Sequence, residues 1–220
     1  MTRQLQEYCN IIIKPELLDG RIDFVNVFGR YAPLHIEIGS GRGTFLVQEA
    51  KMLPEINFLG IEWASRYYRY TVDRVGRWGL KNVRMLRSDA AVFISEFVPD
   101  ACVDCFHIYF PDPWPKKKHH KRRFICEKNL KQLLRCLKKD GIIRIATDHS
   151  GYFEQIERVL SAKSNCLQKV CFLPAAGASI SELGDSTLSP QVGSNFERKY
   201  LKENRPIYTI AVQKTRIEDR

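Results

Sequence analysis

The sequence predicts an α/β fold: a mostly parallel sheet with helices on both faces. Three observations lead there. Short apolar runs alternate with helical stretches five times. The runs are almost continuously apolar, which fits strands buried on both sides. A glycine-rich turn joins the first run to the stretch that follows it, as at the βα turns of such sheets.

Taken in order, residues 34–38 form a β-rich run ending in glycines, and 44–52 have helical composition. A second run at 56–61 precedes a long amphipathic stretch at 64–78. A third at 83–86 precedes a short helix at 90–97, and a fourth covers 103–110. After a basic loop, 125–138 read as a helix with Leu130, Leu133, Leu134 and Leu137 on one face. Gly141 then punctuates, 142–146 form the fifth strand, and 152–162 are helical. Two more strand candidates, 166–173 and 207–213, have no helix between them. Residues 174–194 read instead as a long loop rich in Gly, Ser, Ala and Pro. Residues 1–33 are expected to pack on this core as an N-terminal extension, with 34–214 as the single domain and 215–220 as a tail.

Composition limits the function. At 44% hydrophobic and 27% charged, the chain can bury a core and is not disordered. The net charge of +10 points to a polyanionic partner. Its distribution says more: residues 114–123 hold six Lys/Arg and no acid, over half of the excess. No signal-peptide pattern or membrane-length apolar stretch occurs, so a cytoplasmic protein without a membrane partner is expected.

Cys102 and Cys105 have half-zinc-site spacing, and Cys166 and Cys171 offer a forced second half. The paired-knuckle spacing is absent, and Cys102 and Cys105 border a buried strand, where thiols act as small hydrophobes. No metal is expected.

The turn reads Glu37-Ile38-Gly39-Ser40-Gly41-Arg42-Gly43-Thr44. A dinucleotide fingerprint would put a third glycine at 44. The pattern of Gly39, Gly41 and Gly43 preceded by an acid suits S-adenosylmethionine, whose ammonium and sulfonium call for a carboxylate such as Glu37. Glu62 ends the second strand, where an acid accepts from ribose hydroxyls. Asp89 follows the third strand and can accept from the adenine amine. A tight βα loop accounts for the glycines alone, but not for acids at the next two strand ends.

The most specific segment begins where the fourth strand ends: Phe110-Pro111-Asp112-Pro113-Trp114-Pro115, then Lys116, Lys117, Lys118, His119, His120, Lys121, Arg122 and Arg123. Prolines on both sides of Asp112 stiffen the presentation of its carboxylate beside a flat aromatic. A solvated charge run is the plainer reading, but six cations fused to a rigid Asp-Pro-Trp at a ligand-binding edge favour nucleic acid.

On these residues the chain resembles the bacterial-type tRNA (guanine-N7)-methyltransferases, the TrmB family. Residues 37–43, 60–62, Asp89, 110–123, 146–148 and 194–197 follow the family's order, and the likeness runs from about residue 10 to 214. It implies a Rossmann-like class I S-adenosylmethionine-dependent methyltransferase, with a seven-stranded, mostly parallel sheet whose last strand is antiparallel. It implies methylation of a guanosine at position 46 in the tRNA variable loop, with S-adenosylhomocysteine as the other product. Glu37, Glu62 and Asp89 would hold the cofactor and Asp112 would be catalytic. Lys116, Asp148, Ser194, Asn195, Phe196 and Glu197 would contact substrate. Lys118, His119, His120, Lys121, Arg122 and Arg123 would meet RNA. A monomer or homodimer without an obligatory protein partner is expected. Ser194-Asn195 stands where the family usually has Thr-Lys, and the loop at 174–193 is longer than usual. Ser194 keeps the hydroxyl, and Arg198 or Lys199 can supply the missing cation.

The chemistry agrees. Guanine N7 has a free lone pair, so no general base is required, and positioning carries most of the catalysis. Positive charge moves onto the purine, where a carboxylate stabilises it. Asp112 can also accept from the guanine N–H edge, and Asp148 can share that task or cap the helix after it. Two other readings are a nicotinamide-dependent dehydrogenase, opposed by Thr44 and the basic run, and a non-catalytic RNA-binding module, opposed by the intact acids.

Overall fold

A computed structural model describes residues 4–173 and 192–215. The expected 174–194 loop lies almost wholly outside these residues. The strands are β1 (Ile12–Ile13), β2 (Leu34–Ile38), β3 (Asn57–Ile61), β4 (Val83–Leu86), β5 (Val103–Tyr109), β6 (Leu137–Thr147), β7 (Leu167–Val170) and β8 (Tyr208–Lys214). The helices are α1 (Phe24–Phe28), α2 (Thr44–Met52), α3 (Ser65–Arg77), α4 (Ala90–Glu96), α5 (Glu127–Cys136), α6 (Ser150–Ser161) and α7 (Asn195–Lys202).

The sheet order is β1-β4-β3-β2-β5-β6-β8-β7. Strands β1 to β6 pair in parallel, and β8 runs antiparallel to both β6 and β7. The chain builds outward from β2 through β3 and β4, then returns to build β5 and β6 on the other side. The order therefore reverses between β2 and β5, and ligands of open α/β sheets bind outside the strand ends at such a point.

Both faces of the sheet are covered, as the continuous apolar runs imply. All of β3 is buried. Leu59 and Ile61 join a cluster with Phe93, Leu130, Leu133, Tyr152 and Ile156, while Phe58, one residue before Leu59, joins Leu46, Val47, Tyr68, Val72 and Val75. That alternation is the two-residue period of a strand with a helix layer on each side.

Three expectations are corrected. The sheet has eight strands among the described residues, not seven. The extra one is β1 in the N-terminal segment, pairing Ile12 with Met85 and Ile13 with Leu86; two residues are too few to display an alternation. The helix expected through residue 138 stops at Cys136, because Leu137 turns extended and pairs with Val103. The register then shifts before Cys105 meets Ile142, and Lys138 binds Asp104 at 2.8 Å across the irregularity. Finally, α7 lies between β7 and β8, where no helix was expected. The Ser194 hydroxyl accepts from the Glu197 N–H at 3.0 Å, the cap interaction a Ser-x-x-Glu spacing announces.

Candidate active site

The glycine turn leaves β2 with Gly39, Gly41 and Gly43 all at positive φ. Gly43 is the most constrained: a Cβ there would lie 2.3 Å from Thr71 Cγ2. The turn is tied from outside. The Gly39 N–H donates to the Ile61 carbonyl at 2.8 Å, and the Gly41 N–H to Glu62 Oε2 at 2.7 Å. Glu62 Oε1 accepts from Ala64 N–H at 2.7 Å. Glu62 thus braces the turn through both oxygens, each of which keeps a further lone pair for a ligand.

Glu37 is only 5% exposed, and its Oε2 has no hydrogen-bond partner among the described residues. Burial, opposed by the Ser40 hydroxyl and reinforced by Glu62 and Glu49, pushes its pKa up to about 8. An orphaned carboxylate oxygen beside a cavity is the complement of a cationic ligand. That cavity, about 310 Å³, is lined by Glu37, the turn, Phe45, Tyr67, Tyr109, Ser194, Asn195, Phe196 and Lys199. Lys199, rather than Asn195, brings the cation here.

A second cavity of about 390 Å³ shares Gly39, Gly41, Tyr67, Tyr109 and Phe196 with the first, so the two form one cleft. It adds Glu62, Trp63, Asp89, Phe110, Asp112, Trp114 and Arg122. Asp89 also caps α4, taking the Ala91 and Val92 N–H groups on Oδ1 at 2.8 and 3.1 Å. Asp112 is exposed between Phe110 at φ 52° and Trp114 at φ 42°. Bulky residues in that region are strained, by roughly 1–3 kcal/mol each, and such strain gathers at functional sites. Contacts hold both residues there. The Phe110 N–H donates to Ala146 O at 2.7 Å, and its ring meets Phe196 and Tyr200. Trp114 carries the Arg122 guanidinium over its face at 4.9 Å and His119 at its edge.

The basic run is not the open loop expected. Lys117–Arg122 form a 3₁₀ turn, closed by the Arg123 N–H donating to His120 O at 3.0 Å. Lys116, Lys117, Lys118, Lys121 and Arg122 are exposed. His120 buries its Nε2 without a hydrogen-bond partner among the described residues. Arg123 departs from the expected RNA contacts. It is 3% exposed and donates to Pro113 O at 2.7 Å, Gln155 Oε1 at 2.8 Å and Gly151 O at 3.3 Å, over the Tyr152 ring. It anchors the Asp-Pro-Trp loop from beneath.

Lys116, Asp148 and Glu197 line neither cavity. Asp148 pairs with Arg205, which lies over the Tyr200 ring at 4.2 Å. The cap of α6 is His149, whose Nδ1 accepts from Tyr152 N–H at 3.2 Å, not Asp148. Glu197 is 1% exposed, and its carboxylate accepts from Val192 N–H at 3.0 Å and Gly193 N–H at 2.6 Å.

Sequence reasoning missed Tyr67 and Tyr109, which line both cavities. Tyr109 immediately precedes the Phe110 motif at a strand end, and that place was its only signal. Its hydroxyl meets His107 Nδ1 at 2.8 Å, and His107 Nε2 meets His35 Nδ1 at 3.2 Å. Burial holds His107 well below its usual pKa and lowers His35 to about 4. With Cys105, these histidines bring three ligand-type atoms within 4.8 Å of one another. The imidazoles are engaged in the chain that ends on Tyr109, and burial raises the Cys105 thiol to about 12, so it stays protonated.

Comparison with known proteins agrees with this geometry. Residues 31–210 match the family described as "Putative methyltransferase". The tRNA (guanine-N(7)-)-methyltransferase of Streptococcus thermophilus (strain CNRZ 1066) is 32% identical over 203 residues, covering 92% of this chain and 90% of that protein. That of Rhodopirellula baltica is 32% identical over 206 residues, covering 91% and 73%. That of Idiomarina loihiensis reaches 39% over 145 residues, covering 66% and 59%. Among solved structures, a SAM dependent methyltransferase from Aquifex aeolicus superposes with TM-score 0.52 at 14% identity, covering 86% of each chain. The 30S ribosomal A1408 methyltransferase from an uncultured bacterium gives 0.54 at 14%, covering 88% and 95%. At such identity these two show the fold alone. An acid-lined glycine turn, an Asp112 held between strained aromatics, and full-length relatives above 30% identity lead to one conclusion: the chain belongs to the tRNA (guanine-N7)-methyltransferase family.

Proposed function

We propose that the protein transfers the methyl group of S-adenosylmethionine to N7 of a guanosine in tRNA, at position 46 of the variable loop. One observation carries this reading. Asp112 shares a cavity with Glu62 and Asp89, and that cavity adjoins the one lined by Glu37, whose Oε2 has no partner among the described residues.

The cofactor supplies an electrophilic methyl on a sulfonium. Glu37 takes its ammonium end, in keeping with the free Oε2. Glu62 takes the ribose hydroxyls from beside the turn it braces, and Asp89 the adenine amine from the start of α4. Asp112 accepts from the guanine N–H edge and stabilises the charge that grows on the ring. Tyr109 and Phe196 line both cavities and exclude water between the two ligands. The exposed cations from Lys116 to Arg122 hold the RNA backbone.

The test is incubation with labelled S-adenosylmethionine and unmodified tRNA, followed by chemical cleavage at N7-methylguanosine. Cleavage at position 46 is expected. Cleavage elsewhere overturns the position, and no incorporation overturns the activity.

A further inference from the structure

A second cationic and aromatic surface lies across the cleft from the Lys116–Arg122 side, on α3 and the glycine turn. Arg66, Tyr70 and Arg74 recur at a spacing of four, which stacks them along one face of the helix. Tyr67 stands beside them, lining both cavities, and Tyr67 and Tyr70 are 39% and 38% exposed. Trp63, just before the helix, is 69% exposed and lines the second cavity. Arg74 joins the surface to the glycine turn by donating to Arg42 O at 3.3 Å and Thr44 Oγ1 at 3.0 Å. Arg42 is itself exposed and lines the first cavity.

The exposed charges of α3 are of one sign. The only acid of α3, Asp73, is 1% exposed and bonds Arg77 at 2.9 Å. Arg69 lies apart from this surface, lining a small cavity with Glu7. Cations interleaved with flat exposed aromatics fit phosphodiesters and unstacked bases, since stacking tolerates any base and cations track the backbone. An anionic membrane also attracts cations. Here, however, Trp63 and Tyr67 line the cleft that holds Asp112 and Glu37, where a substrate strand would enter.

The strands place this surface. The basic run follows β5 and α3 follows β3, and these strands flank β2 on opposite sides. We propose that the outer face of α3, Arg66, Tyr67, Tyr70 and Arg74 with Trp63 and Arg42, is a second RNA-binding rim, so that substrate RNA is held from both sides of the cleft. This rests on the RNA methyltransferase reading above.

The test uses the full chain and an Arg66→Gln/Tyr70→Leu double variant, because neither residue lines either cavity. The melting temperature and S-adenosylmethionine affinity are expected to match wild type. The Kd for unmodified tRNA rises about tenfold, and the slope of log K against log salt becomes shallower by nearly one. KM for tRNA rises while kcat at saturating tRNA is retained. The conservative pair Arg66→Lys/Tyr70→Phe restores binding. If wild type methylates tRNA while the double variant keeps wild-type Kd and slope, the second rim is wrong and the function stands. If wild type neither binds nor methylates tRNA, the function itself fails and the rim with it. Loss of binding to phosphatidylserine vesicles with unchanged tRNA affinity overturns the RNA assignment in favour of a membrane surface.

Discussion

Asp112 and Glu37 are two carboxylates with opposite surroundings, and each sets its own test. Asp112 is exposed on a loop pinned by Arg123 and by the strained Phe110 and Trp114. Its proposed task concerns charge that develops during transfer, so Asp112→Ala is expected to lower kcat by about a hundredfold or more. The tRNA Kd should change little, which a filter-binding measurement checks alongside single-turnover rates. Glu37 is buried, with its pKa raised from 4.5 to about 8. A raised folded-state value stabilises the protein fully below the unfolded value, and that contribution is lost as pH rises through about 8. Without ligand, stability should therefore decline between those limits, and Glu37→Gln should flatten the decline. A cationic ligand favours the ionised form, so S-adenosylmethionine binding near pH 7 is expected to release a proton from Glu37. Calorimetry in buffers of different ionisation enthalpy reads that release, and in Glu37→Gln it should vanish.

At the scale of elements, two pieces the proposed mechanism needs are held in place by buried hydrogen-bonding groups. Helix α7 presents Asn195, Phe196 and Lys199 to the cavity lined by Glu37, and its start depends on Ser194 and Glu197. Ser194→Ala should cost about 1 kcal/mol. Glu197→Ala should cost more, about 1–3 kcal/mol, because it strands the buried N–H groups of Val192 and Gly193. Denaturant midpoints order the two, and equal losses would count against the carboxylate's role. Arg123 does the same for the Asp-Pro-Trp loop. Arg123→Ala should lower the melting temperature and kcat yet leave the salt dependence of tRNA binding unchanged. Neutralising Lys117, Lys118 and Lys121 together should do the reverse, flattening the slope by about two to three. Cation type alone does not separate these cases; burial does.

For the whole molecule, sheet order and helix layers bring the site together at the reversal between β2 and β5. The same core holds His35 and His107 neutral. Their lowered folded values contribute stability that is present above the unfolded value of 6.5 and lost as pH falls, for His35 through about 4. Urea unfolding is expected to show falling stability from pH 6.5 downward, and His35→Asn should reduce that fall.

Much of this organisation was legible in the chain. Short continuous apolar runs and helical apolar spacing with glycine punctuation located β2 to β5 and α2 to α4 to within a residue or so, because strands covered on both faces are apolar throughout and helices buried along one face must match their spacing to their geometry. Acids at successive strand ends, and Asp112 between prolines, marked the site because parallel strands bring their carboxyl ends to one edge. Other features needed the tertiary structure. Ile12 and Ile13 become a strand only because β4 offers an edge to pair with, and α7 forms on a polar segment whose capping signal stood without a hydrophobic run. Arg123 and Glu197 look like contact residues in the chain and prove to be internal braces, since a charged side chain turns inward only where three dimensions supply its partners. The chain by itself determined which chemistry the edge of the sheet carries. Only the packing decided which charges face the cleft and which hold it open.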